Sequence, residues 1–86
     1  MDAAVFWRDD IDSLAFSIEG HGGICVIHRR ALRTLIGHLP EPQEALDFFE
    51  NRRAAFEVAA RAKILRAGLA FEANFHLTSR DVAASP

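Results

Sequence analysis

The chain is predicted to be an α+β domain: a small antiparallel sheet, built from a β-hairpin and a returning C-terminal strand, packed against one short and one long helix. Three observations predict it. Apolar residues alternate through "SLAFSIE" at 13–19 and fill "ICVIH" at 24–28, with a glycine-rich turn between. From Pro42 to Ala67 they recur at helical spacing instead. A short alternation then returns at Phe75-His76-Leu77, read as a strand near 75–78.

The elements follow in order. "AVFW" at 4–7 suits a short first strand, ended by the polar turn from Arg8 to Asp12. In "SLAFSIE", Leu14, Phe16 and Ile18 point one way, and Ser13, Ala15, Ser17 and Glu19 the other, as in a half-buried strand. Gly20-His21-Gly22-Gly23 supplies the positive-φ positions a hairpin uses. "ICVIH" is rich in β-branched residues and reads as the second hairpin strand.

After His28 the period changes. Leu32, Leu35, Ile36 and Leu39 fall at i, i+3, i+4 and i+7, the stripe of a short helix. Its N-cap falls on His28 or Arg29, both poor caps by residue type, and Gly37 followed by Pro40 ends it. The long helix spans Pro42 to Ala67. Pro42 suits its first turn and Glu44 its positive end, while Arg61, Lys63 and Arg66 suit its negative end and Gly68 the position just beyond. Such a helix would be about 39 Å long. A domain of this size is only about 30 Å across. The helix must therefore overhang, bend or pack against something else.

Its faces carry the first functional expectation. Ala45, Phe49, Phe56, Ala59, Ala60 and Ala67 share one face, suited to the sheet. A flanking arc holds Ala55, Val58, Ala62 and Leu65, and the polar side is narrow, mainly Glu50, Glu57 and Arg61. One sheet face does not need so wide an apolar arc, so the surplus is expected to meet the first helix or a second copy of the chain. The turn-like Glu72-Ala73-Asn74 leads to the returning strand, the single domain is expected to span residues 1–81, and 82–86 are expected to be a disordered tail.

Composition bounds the rest. Of 86 residues half are hydrophobic and seven are phenylalanine, which argues for a packed core. The single cysteine excludes an internal disulfide and a four-thiolate zinc site. The start lacks the pattern of a secretory signal, and no apolar run approaches the ~18 residues of a membrane span, so a cytoplasmic protein without membrane attachment is expected. Net charge is −2, which gives no global pull toward nucleic acid. Residues 28–66 hold eight of the ten Lys and Arg, but five acidic residues lie among them.

"HGGICVIHRR", residues 21–30, looks most like chemistry, with Cys25, His21, His28 and an arginine pair. Zinc needs three or four ligands converging on one point. On a strand Cys25 and His28 point to opposite faces, and His38 and His76 form no ligand spacing with them, so Cys25 reads as a small core residue. No P-loop, G-x-G-x-x-G after a strand, or H-E-x-x-H occurs, and no cofactor is implied.

The order of features resembles a small bacterial family, domain of unknown function 1488. The residues that carry the resemblance are Phe6, the "F-x-I" at Phe16 and Ile18, "C-V-I" at Cys25 to Ile27 and "A-L" at Ala31-Leu32. In the long helix the family's F-x(3)-R-x(2)-I-x(3)-A-x(3)-I spacing appears as Phe49, Arg53, Phe56, Ala60 and Ile64, and "L-T-S-R-D" closes it at Leu77 to Asp81. The chain departs in lacking a Ser or Thr before the first helix, and in Phe56 where an aliphatic is commoner. The resemblance implies an α+β fold with a hairpin, two helices and a returning strand, and it implies no activity.

With no converging acid, base and nucleophile, an enzyme is not expected. The expected function is a non-enzymatic interaction or accessory module that self-associates or meets an unidentified protein partner. Its candidate interface is Phe48, Val58, Ala62 and Leu65. Arg53 projects beside the Phe49–Phe56 face and is a candidate polar anchor, either covering apolar surface with its stem or gripping a carboxylate. The alternative is a weak nucleic-acid-binding or regulatory protein using a basic surface of Arg29, Arg33 and Arg52. Glu50, Glu57 and the lack of aromatics among those basic residues weigh against it.

Overall fold

The computed structural model describes residues 4–83. Strand β1 (Val5–Arg8) leads through a 3₁₀ turn (Asp9–Ile11) into β2 (Ser13–Ser17) and β3 (Ile24–His28). Helices α1 (Arg29–Ile36), α2 (Pro42–Asn51) and α3 (Arg53–Ala67) follow, then β4 (Phe75–Leu77) and α4 (Ser79–Ala83). The fold is α+β, with sheet order β1-β2-β3-β4.

The sheet's alternation does what its residues dictate. Register sets Val5, Phe16, Cys25 and Phe75 in one row across the four strands, and Trp7, Leu14, Ile27 and Leu77 in the next. All eight belong to or pack against the core. Ala15, on the opposite face of β2, is also fully buried, flanked in register by Phe6 and Val26. The sheet is mixed rather than wholly antiparallel: β4 runs parallel to β3. A parallel neighbour needs a crossover, and the three helices between β3 and β4 provide it.

The long helix is not continuous. Arg52, at φ −132° and ψ 28°, separates α2 from α3, although no glycine or proline marks the place. A straight 39 Å rod would overrun a molecule whose extents are 32 × 24 × 23 Å. Packing supplies the driving force. Phe49 and Phe56 are seven residues apart, a rise of about 10 Å along a straight helix. Their ring centroids lie 5.0 Å apart, with Phe16 4.7 Å from Phe49 and 6.4 Å from Phe56. Breaking the rod lets both rings close on the central strand.

His28 turns out to cap α1: its Nδ1 accepts the Arg30 N–H at 3.0 Å, while the Arg29 N–H donates to the Asp12 carbonyl at 3.0 Å. An imidazole nitrogen thus takes the place of a serine or threonine oxygen. Gly37 and Gly68 end α1 and α3 in the left-handed region, as their positions predict. The expected tail is partly ordered, since Val82 lies in α4 and packs on the core, while residues 84–86 lie outside the described residues.

The hairpin glycines have two jobs. Gly20, at φ +87°, makes the turn. Gly22 and Gly23 instead admit the loop after α3, both donating to the Phe71 carbonyl, at 2.8 and 3.2 Å. A Cβ on Gly23 would collide with the Ala73 carbonyl, and one on Gly22 with the Phe71 ring. The same loop is held by His21 Nε2, donating to the Ala73 carbonyl at 2.8 Å, and by Asn74 Oδ1, accepting from the Ile24 N–H at 2.8 Å. Gly23→Ala is expected to destabilise the fold by about 1–3 kcal/mol, the usual range for overpacking. Urea denaturation measures it; an unchanged midpoint would show that the loop yields without penalty.

Candidate interaction surface

The surface is built from α3 outward. Phe56, Ala59 and Ala60 bury against the core, and Ile64 is half-buried beside them. The outer side of the helix carries Ala54, Val58, Ala62 and Leu65, with Val58 43% and Leu65 82% exposed. A solvated helix face normally carries charge. Here the charged residues of α3 are largely drawn elsewhere. Arg53 lies over the Phe49 ring at 5.1 Å and donates to Glu50 at 2.6 Å, so it covers apolar surface and meets a carboxylate at once. Lys63 Nζ donates to the His76 carbonyl (2.7 Å) and to Asp81 (2.8 Å), and Arg66 also reaches Asp81, at 3.2 Å.

Beyond Leu65 the apolar surface turns a corner. Leu65 and Ile64 line a groove of about 240 Å³ with Ile18, Glu19, Gly20, His21 and Arg61. His21 is in turn in ring contact with Phe71, which is 64% exposed. A strip of apolar side chains, interrupted by Glu19 and Arg61, therefore runs from Val58 along α3 to the end of the hairpin. Phe71 belongs to it, although no periodic element marks its place in the sequence; an exposed aromatic beside Gly68 and Leu69 was the available signal.

Of the four interface candidates, Val58, Ala62 and Leu65 lie together on this outer face. Phe48 does not share their exposure: it packs against the core, with its ring 6.1 Å from Phe56 and the Arg52 guanidinium 4.3 Å above it. The basic candidates are dispersed in role. Arg29 turns inward, donating to the Pro40 carbonyl at 2.6 Å between Asp12 (3.7 Å) and Glu41 (3.8 Å). Arg52 is laid on Phe48, and Arg33 is exposed on α1. Arg29 ties the β2 start to the α1–α2 link, a structural role that leaves its charge offset by two carboxylates.

Cys25 is fully buried on the core face, and burial pushes its thiol up to about 12, with Lys63 pulling it down and Asp81 up. It is therefore protonated at neutral pH and far from a nucleophile. Among the described residues no group of three or more His, Cys, Asp or Glu is placed to hold a metal ion. No described helix is long and apolar enough to cross a membrane.

The closing "L-T-S-R-D" acquires a physical account. Leu77 is core, and Thr78 and Asp81 exchange hydrogen bonds at the start of α4: the Thr78 N–H donates to Asp81 at 2.8 Å and the Asp81 N–H to the Thr78 hydroxyl at 3.1 Å. That T-x-x-D spacing is a capping box legible in sequence. Burial pushes the Asp81 carboxyl up, but the bonds from Lys63 and Thr78, with the Lys63 charge, outweigh it and hold the group at about 2.

No protein-family model, curated protein or solved structure matches the chain.

Because the folded pKa of Asp81 lies below the unfolded value, its stabilisation is present above about pH 4 and is lost as pH falls toward about 2. Allowing for solvent screening, the loss is about 1–2 kcal/mol. Urea titrations across that range check it. Asp81→Asn should be less stable near neutrality and should show a flatter acid limb; an acid limb as steep as the wild type's would assign the pH dependence to other carboxylates.

Proposed function

We propose that the chain is a cytoplasmic, non-enzymatic interaction module that self-associates through the outer face of α3. One observation carries this reading: the helix side turned away from the core presents Ala54, Val58, Ala62 and Leu65, while Arg53, Lys63 and Arg66 are engaged within the chain. Leu65, 82% exposed, shares this face with Val58 and Ala62, and that apolar row, rather than any one exposed residue, supports a contact that buries it.

The buried thiol, the inward Arg29 and the absence of a ligand cluster among the described residues lend no support to a chemical site. An α3 contact alone is small, below the ~1,200 Å² of total area typical of stable complexes, so association should be reversible and concentration-dependent.

Sedimentation velocity over a concentration series tests this. The wild type is expected to shift from monomer toward dimer as concentration rises. Leu65→Glu should remain monomeric throughout, with thermal stability within about 0.5 kcal/mol of the wild type because the site is exposed. A wild type that stays monomeric at millimolar concentration would remove the proposal.

A further inference from the structure

We infer that the second copy docks antiparallel, α3 against α3, with the two-fold axis near the level of Ala60. This rests on the self-association reading above and specifies its geometry. The first support is shape. Ala55, half-buried at the edge of the outer face, follows with Val58, Ala62 and Leu65 the alternating three- and four-residue spacing of a helix-pairing seam. Antiparallel pairing about that level sets Val58 opposite Ala62 of the second copy and Leu65 opposite its Ala55. Large residues then meet small ones in every layer, which lets the helices approach closely. Pairing about an axis one residue away would lose this match and set side chains on the seam against flanking positions.

The second support is charge. Glu57 and Arg61 lie one turn apart on the same flank of the seam, and neither has an ion-pair partner among the described residues. In an antiparallel pair, each flank meets its own copy. Glu57 then lies about 3 Å along the axis from Arg61 of the second copy, close enough for the long arginine to reach it. The four charges alternate and sum to zero. On the other flank Arg66 is already held by Asp81, so it opposes approach less than a free guanidinium would. A parallel pair would instead set the Glu57–Arg61 flank against the Arg66 flank, where Glu57 and Arg61 could not pair with their own copies.

A mixing experiment tests the geometry separately from association itself. Glu57→Arg gives a flank with two positive charges, and Arg61→Glu a flank with two negative charges. Each variant alone should dimerise roughly fivefold more weakly than the wild type, as two exposed pairs become repulsions. An equimolar mixture should form a heterodimer at least as tight as the wild-type dimer, read by fluorescence energy transfer between differently labelled chains. Circular dichroism confirms that both variants fold, as is expected for exposed flanking positions. If the wild type dimerises but the mixture shows no preference for the heterodimer, the antiparallel α3 pair is wrong while self-association stands. If the wild type does not dimerise, both fail.

Discussion

The burial of Phe16 between Phe49 and Phe56 is the contact on which the rest of the molecule depends. Phe16 sits on a central strand, so any helix layer that covers the sheet must first satisfy this ring. Two phenylalanines seven residues apart close on it here as the helix carrying them breaks at Arg52. The break at Arg52 leaves helix-end groups to be satisfied by other means, such as the Arg52 carbonyl accepting from Ala55 and Phe56. Losing one buried phenylalanine costs about 3–5 kcal/mol. That is comparable with the whole stability of a small domain, about 5–15 kcal/mol. The helical hydrogen bonds given up at the break are minor beside it. Arg52, at the break, and Arg53, just after it, lie over Phe48 and Phe49 and roof the aromatic cluster from the solvent side.

What the sequence reveals of this follows from which forces act locally. The strands are legible because a period of two is imposed by the backbone, and Leu14, Phe16, Cys25 and Ile27 obey it. The direction of the last strand is not, since Phe75-His76-Leu77 alternates identically in a parallel or an antiparallel partner. The helix break is invisible because "ENRR" contains no breaker; only the mismatch between a 39 Å rod and the size of the domain hints at it. His28 hides as a cap because its acceptor nitrogen depends on tautomer and ring orientation. Gly22 and Gly23 are legible as a turn, but what fixes them is a loop far along the chain. α4 is too short to show a period, yet its Thr78–Asp81 box was there to be read.

The candidate surface was legible in part for the same reason. Helical projection separates Phe56 from Val58 and Leu65 correctly, because both sides of α3 lie within one unbroken helix. It misplaces Phe48, because that residue belongs to α2, and the projection carries a single axis across a break. Arg29 is misread for a different reason: basic residues that are adjacent in sequence look alike until the fold supplies Asp12, Pro40 and Glu41 around one of them.

The charges of α3 then connect fold to function. Arg53 is drawn to Glu50 by the aromatic roof, and Lys63 and Arg66 are drawn to Asp81 by the need to anchor α4 against the sheet edge. Each contact consumes a basic side chain that a solvent-facing helix would otherwise turn outward for solubility. The outer face left behind is small, apolar and alternating in size, flanked by one carboxylate and one guanidinium without ion-pair partners among the described residues. In the pairing proposed above, a helix of the same sequence running the other way would cover Leu65 and complement the face in both shape and charge. The packing that closes the core thus also leaves exposed the face that the proposed pairing would cover.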